Sequence, residues 1–167
     1  VAVAIKEYGY TNVKIYNGGL KDWIGAGLPV VSDEKLPEYK TIFLSAEDVK
    51  QRMGVAEKSG CLSENGLPLL TLLDLRTERV PEGAEAPLVI RSSCQTVSGF
   101  LDDLQRDDFR KKIPVDSPII VITETGNRDE YAARYLHKYG YNQVFGLQYG
   151  MRGWIKADYP TVSLEKQ

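Results

Sequence analysis

Short apolar runs alternate with stretches of helical spacing along most of this chain. Thr41–Leu44 predicts a short strand, and Ser45-Ala-Glu-Asp48 reads as a capping box opening a helix through Met53. Gly54 to Pro68, with its scattered Gly, Ser and Asn, reads as a loop. Leu69–Leu75 is apolar almost throughout, the pattern of a strand buried on both faces. Within Thr96–Lys112, residues Val97, Phe100, Leu101, Leu104 and Phe109 fall mostly at helical spacing. Pro118–Thr123 predicts a second buried strand, followed by a helix over Arg128–Tyr139 with Ala132, Tyr135, Leu136 and Tyr139 on one face. Val144–Leu147 predicts a short strand and Met151–Ala157 a closing helix. The alternation predicts an α/β fold, a parallel central sheet with helices on both faces.

An internal repeat orders the chain. Tyr8-Gly9-Tyr10 recurs as Tyr139-Gly140-Tyr141, and the offset then holds without a gap. Val13 matches Val144, Gly19 matches Gly150, Trp23-Ile24 matches Trp154-Ile155, and Pro29 matches Pro160; Lys21 and Arg152 share a charge. The offset is that of a small domain. Residues 1–31 therefore read as the C-terminal remnant of a preceding repeat, 32–40 as a polar, proline-bearing linker, and 41–163 as a complete domain. By analogy with the later copy, Val1–Tyr8 predicts a helix, Val13–Tyr16 a strand and Leu20–Gly25 a closing helix. Deprived of the rest of its sheet, this segment would leave apolar surface open, and self-association through residues 1–31 is expected.

Composition narrows the function. The 167 residues are 43% hydrophobic and 26% charged, with net charge −2 and charges of both signs interspersed. No basic stripe is present to neutralise phosphates, which argues against nucleic acid as a partner. No apolar run reaches the length of a membrane span. The chain lacks an initiator methionine, so a targeting signal could have preceded it, and the compartment stays open. Two cysteines, Cys61 and Cys94, are too few for a disulfide framework, although one bridge between them is open. Cys61 sits in a Gly/Ser/Asn loop and is expected to be exposed, while Cys94 reads as a small buried hydrophobe. No His/Cys cluster suggests a metal, and no cofactor is implied. His137, the sole histidine, is expected on a solvated helix surface.

Chemistry in such a sheet belongs beyond the carboxyl ends of its strands. The candidate loop is Thr123-Glu124-Thr125-Gly126-Asn127-Arg128, where Gly126 permits a left-handed turn and backbone N–H groups could ring an anion. The stretch from Ile120 to Leu136 resembles the active-site strand, loop and helix of the rhodanese family. So do the Gly140-Tyr141…Gly150-Met-Arg-Gly-Trp154 segment and the Asp74-Leu-Arg76 strand end; Ala86-Pro-Leu-Val-Ile90 stands, with a poor match, where the family has another conserved segment. The resemblance covers the whole of the later repeat. It implies a rhodanese-like fold, sulfur-transfer chemistry, and a small anion or sulfur-carrier protein as partner. Asp74 and Arg76 are expected to support the loop.

One departure outweighs these matches. The family places a persulfide-carrying cysteine first in a loop of C-x-x-G-x-R type, and this chain has Thr123 there. A threonine hydroxyl is scarcely ionised at neutral pH and forms no persulfide. Glu124 adds a charge opposed to anions. Three readings stay open: a catalytically inactive domain with a binding, regulatory or structural role; part of a tandem thiosulfate- or 3-mercaptopyruvate-type sulfurtransferase whose cysteine lies in an upstream repeat; and a thiol redox or sulfur relay through Cys94. A phosphatase, which some relatives of this fold are, needs the same missing cysteine.

Overall fold

The computed structural model describes residues 5–6, 9–31, 35–76 and 87–163. It divides into two compact units, Val1–Lys35 and Leu36–Gln167. In the first, the described helix is α1 (Gly19–Gly25). The second contains, in order, β1 (Ile42–Leu44), α2 (Ala46–Lys58), β2 (Thr71–Asp74), β3 (Leu88–Ile90) and β4 (Gln95–Ser98). A 3-10 turn (Leu101–Gln105) follows, then α3 (Asp107–Arg110), β5 (Ile119–Ile122), α4 (Asp129–Lys138), β6 (Val144–Leu147), α5 (Gly150–Lys156) and β7 (Thr161–Ser163).

Five strands form a sheet in the order β1-β6-β5-β2-β4, every pair parallel. Parallel strands joined by helical crossovers bury both faces, which is why Leu72-Leu73 and Ile119-Ile-Val-Ile122 are continuously apolar. Successive side chains point to opposite faces. Leu72, Ile120 and Ile122 join α2 and α5 in one core, with Val49, Met53, Met151 and Trp154. Leu73, Ile119 and Val121 join the 3-10 turn, α3 and α4 in the other, with Leu104, Phe109, Ala132 and Leu136. Burying each large aliphatic side chain contributes roughly 1.5–3 kcal/mol. The register puts Leu44, Leu147, Ile122, Asp74 and Ser98 at the carboxyl ends of their strands, so the loops that follow share one edge of the sheet. β3 and β7 pair antiparallel in a separate two-stranded sheet.

Several expectations are corrected. The helix opened by the Ser45–Asp48 capping box runs to Lys58 rather than Met53. Gly54 has an ordinary helical φ, and Ala56 continues the buried stripe of Val49 and Met53. The helix stops at Gly60, whose φ of +68° leads the chain into the Cys61 N–H to Ala56 carbonyl bond. Thr96–Lys112 is not one helical stretch. Gln95–Ser98 is an edge strand whose Val97 faces the core, and Gly99 is forced by the Phe109 ring, which a Cβ there would meet at 2.5 Å. Val13–Tyr16 forms no strand, because among the described residues no neighbour completes its ladder. The helix expected over Val1–Tyr8 lies largely outside the described residues, as does Ala86.

His137 is half-buried against Tyr39, their rings 4.6 Å apart, rather than solvated. Tyr39 belongs to the polar stretch read as a linker, whose later half is docked: the Tyr39 hydroxyl bonds Val144, and Arg134 donates to the Leu36 and Pro37 carbonyls. Among the described residues, no helix is long and apolar enough to cross a membrane.

The two segments matched in the sequence share local geometry. Trp23 Nε1 donates to the Pro29 carbonyl at 2.9 Å, and Trp154 Nε1 to the Pro160 carbonyl at 3.1 Å. Gly9 and Gly140 share a φ of +89°, and Gly19 and Gly150 turn at +61° and +57°. The burial differs. Trp154 is 1% exposed and Trp23 36%.

Candidate functional site

Thr123 follows the last residue of β5, and its side chain holds the loop closed. Its hydroxyl donates to Asp129 Oδ1 at 2.5 Å and accepts from the Gly126 N–H at 3.2 Å. The other carboxylate oxygen of Asp129 accepts from the Leu147 N–H at 2.9 Å, so one buried acid ties the β5 loop to the end of β6. Burial pushes the Asp129 pKa from its ordinary 3.8 up to about 7, with the bonds from Thr123 and Leu147 pulling the other way.

The loop is pressed against the start of α5. Met151 and Arg152 donate their backbone N–H groups to the Thr123 and Glu124 carbonyls. Gly126 turns at φ +81° with the Leu147 carbonyl beneath it, and a side chain at Gly150 would collide with the Thr123 carbonyl. Glycine is required at both places by close approach of backbone to backbone.

Loops after β2 and β5 leave the sheet in opposite directions, so the crevice between their ends is the position where such sheets bind ligands. Here it is bridged. Asp74, 2% exposed, takes a bidentate pair from Arg76 at 2.9 and 2.7 Å, and Arg76 also donates to the Leu88 carbonyl. Across the crevice, Glu124 Oε2 lies 3.7 Å from Arg76 Nη1 while its Oε1 accepts from Arg152 Nε at 3.0 Å. A carboxylate of the chain itself thus stands where an external anion would meet two guanidinium groups.

Of the residues singled out from sequence, Thr123, Glu124, Gly126, Asp74 and Arg76 converge at this edge. Thr125 and Asn127 line a neighbouring cleft of about 450 Å³ with Phe43, Glu130, Gln148 and Tyr149. Arg128 is exposed, with no polar partner among the described residues.

Cys94 does not join them. It is bonded to Cys61 with Cα atoms 5.1 Å apart, both residues buried and neither thiol free. The expectation of an exposed Cys61 is corrected, Cys94 is buried as expected, and the bridge left open by the sequence is formed. Cys94 precedes β4, and Ser98 at the far end of that strand is level with Ile122. At about 3.3 Å per residue, Cys94 lies roughly 13 Å down the strand from the loop edge.

Asp129 and Arg152 were not foreseen as site residues. An acid in the first turn of a helix ordinarily reads as a solvated partner of the helix dipole, and nothing local marks Asp129 as buried. Arg152 carried a signal, its match with Lys21 in the repeat, but its partner Glu124 is 28 residues away in the chain.

The Rhodanese-like domain model matches residues 62–157, more than half of the chain. The chain is 28% identical over 109 residues to the thiosulfate sulfurtransferase GlpE of Pseudomonas savastanoi pv. phaseolicola, covering 65% of this chain and 91% of that protein. The rhodanese-like domain of an Anabaena protein superposes with a TM-score of 0.53 at 20% identity, over 75% of this chain and 81% of that one. A thiosulfate sulfurtransferase of Pseudomonas aeruginosa matches 99% of this chain with a TM-score of 0.54 at 20% identity; the present chain spans only 30% of its length.

Proposed function

The chain belongs to the rhodanese-like domain family, and from that membership we propose that its complete domain, residues 41–163, is a catalytically inactive member with a binding, regulatory or structural role. One observation carries this reading. The side chain that stands where the family has its sulfur-carrying cysteine is Thr123, whose hydroxyl is already engaged by Asp129 and by the Gly126 N–H. A hydroxyl so placed forms no persulfide, and as a nucleophile it would need an activating base and access to substrate; Thr123 is only 5% exposed. The Glu124 bridge adds to this, since it neutralises the two arginines nearest the crevice.

The test is direct. Purified chain assayed with thiosulfate and cyanide should give no turnover above a heat-denatured control. Turnover in the unmodified protein would remove the reading.

A second reading is favoured by the paired geometry of Trp23–Pro29 and Trp154–Pro160. Residues 1–31 then belong to a preceding repeat, and the chain is part of a tandem sulfurtransferase whose cysteine lies in that repeat. The whole-length match to a stretch of the longer Pseudomonas aeruginosa fold supports it. Here the test is the coding sequence ahead of Val1: a strand and six-residue loop opening on cysteine is the expected result, and any other residue in that place counts against activity upstream.

A further inference from the structure

We propose that the cleft beside the Thr123–Arg128 loop binds a guanidinium cation, the arginine side chain of a partner protein segment, rather than an anion. The inference deepens the non-catalytic reading, on which it rests for its premise that the site binds rather than turns over.

Around the loop some polar groups are spent and others are free. The two arginines facing the crevice are spent: Arg76 on Asp74, the Leu88 carbonyl and Glu124, and Arg152 on Glu124. The open cleft, about 450 Å³, lies on the other side of the loop, toward β1 and β6. Its volume is within the range of small-ligand sites. Among the described residues, the one charged residue lining it is Glu130. Glu130 makes no ion pair or hydrogen bond among the described residues, and Arg134, one turn on and the natural partner at that spacing, is held by the Leu36 and Pro37 carbonyls.

The rest of the lining suits the same ligand. Phe43 and Tyr149, 43% and 69% exposed, present two aromatic rings. Asn127, Gln148 and Thr125 add side-chain oxygens with no partner among the described residues. A planar guanidinium carries five N–H donors in a fixed fork and stacks on aromatic faces. A carboxylate, amide oxygens and aromatic rings are the groups that satisfy it. Among the described residues an anion would find no cation on the walls: Arg128 is exposed but does not line the cleft. The start of α4, which could attract one, already carries the Glu130 carboxylate in its first turn.

The experiment titrates the full ¹⁵N-labelled chain with N-acetyl-arginine amide, with N-acetyl-norleucine amide as the uncharged analogue and sodium sulfate as the anion. The expected result is saturable shifts at Phe43, Thr125, Asn127, Glu130 and Tyr149 with the arginine probe, weak or absent with the other two. Glu130→Gln, a change at an exposed and unpaired side chain, should weaken binding at least fivefold. Tyr149→Asn, which keeps a residue tolerant of the left-handed backbone there, should weaken it severalfold as well. Equal shifts with the norleucine analogue, shifts from sulfate alone at these residues, or a Glu130→Gln variant that binds like the parent would each overturn the proposal. The outcome is separable from the reading above, because thiosulfate turnover would remove that reading whatever the titration shows.

Discussion

The carboxyl of Asp129 is removed from solvent, yet its two oxygens are engaged by one hydroxyl and one backbone N–H. Burial outweighs these bonds and the pKa rises to about 7. Linkage then fixes a sign. Between about pH 4 and 7 the folded chain retains a proton that the unfolded chain has lost, so this group's contribution to stability falls as pH rises through that window. The slope is at most about 1.4 kcal/mol per pH unit, and it vanishes above the folded-state pKa. Asp48, Asp107 and Asp108, lowered by their hydrogen bonds, act in the opposite sense and at lower pH. Urea unfolding at pH 5, 6, 7 and 8 should show a midpoint that declines toward pH 7 in the parent and is flatter in Asp129→Asn. Parallel profiles would mean that the Asp129 proton does not matter to the fold.

Glu124 is a second test at this scale. Holding Arg152 and Arg76 in place of an external anion, it opposes sulfate or thiosulfate by about 1 kcal/mol or less, because the group is largely exposed and solvent screens it. Glu124→Gln should therefore strengthen sulfate binding severalfold at low ionic strength, the gain fading with added salt. Calorimetry showing no gain would mean that Glu124 does not compete with an anion for Arg76 and Arg152.

The likeness between the two matched segments is plainer in their elements than in single residues. α1 and α5 share their turn geometry and their Trp-to-carbonyl bond; α5 has the sheet and α2 packed against it, while α1 has no buried residue. Trp154→Ala should cost about 3–5 kcal/mol as a core truncation, whereas Trp23→Ala should stay within about 0.5 kcal/mol in the isolated chain. Chemical denaturation of the two variants checks both. The disulfide stabilises at the same scale. It links the turn after α2 to the start of β4 across 33 residues, and closing a loop of that length restricts the unfolded chain by about 3–4 kcal/mol. Replacing both cysteines by alanine should lower the denaturation midpoint accordingly; an unchanged midpoint would show that packing alone sets that corner.

What the sequence made legible follows the same division. β2, β5, β6, α4 and α5 were readable because burial on both faces, or on one helical face, leaves a periodic signature. The pairing of Gln95–Ser98 was not, since an edge strand with a single inward Val97 has too few apolar positions to outweigh helical spacing around it. The pairing of β3 with β7 is long-range, and nothing within Leu88–Ile90 announces it. At the site, the loop was legible from Gly126 between a buried strand and a helix, and its lack of a cysteine only through the family resemblance, while Glu124–Arg152 and Asp129–Leu147 depend on the crossover from β5 to α5 and appear only when the chain is folded.

For the molecule as a whole, the first unit is the unusual part. Tyr10, Tyr16, Leu20 and Trp23 are 66%, 49%, 66% and 36% exposed, while their counterparts Tyr141, Leu147, Met151 and Trp154 lie between 0% and 4%. Ile24, Leu28, Val30 and Val31 add to the same short segment, each at least 41% exposed. Apolar surface concentrated in this way drives association, and a net charge of −2 offers little repulsion against it. The second unit has the corresponding elements, β6 and α5, packed in its own sheet and core. The isolated chain should therefore self-associate through residues 1–31, with a mass by light scattering that rises with concentration, and deletion of residues 1–35 should return it to a monomer. The deletion leaves Leu36 and Tyr39, which pack on the domain core, so loss of association could not be ascribed to unfolding if the circular dichroism of the shortened chain stays native. A parent chain that remains monomeric across the whole series, with no difference on deletion, would show that the segment's exposed side chains are satisfied within their own unit.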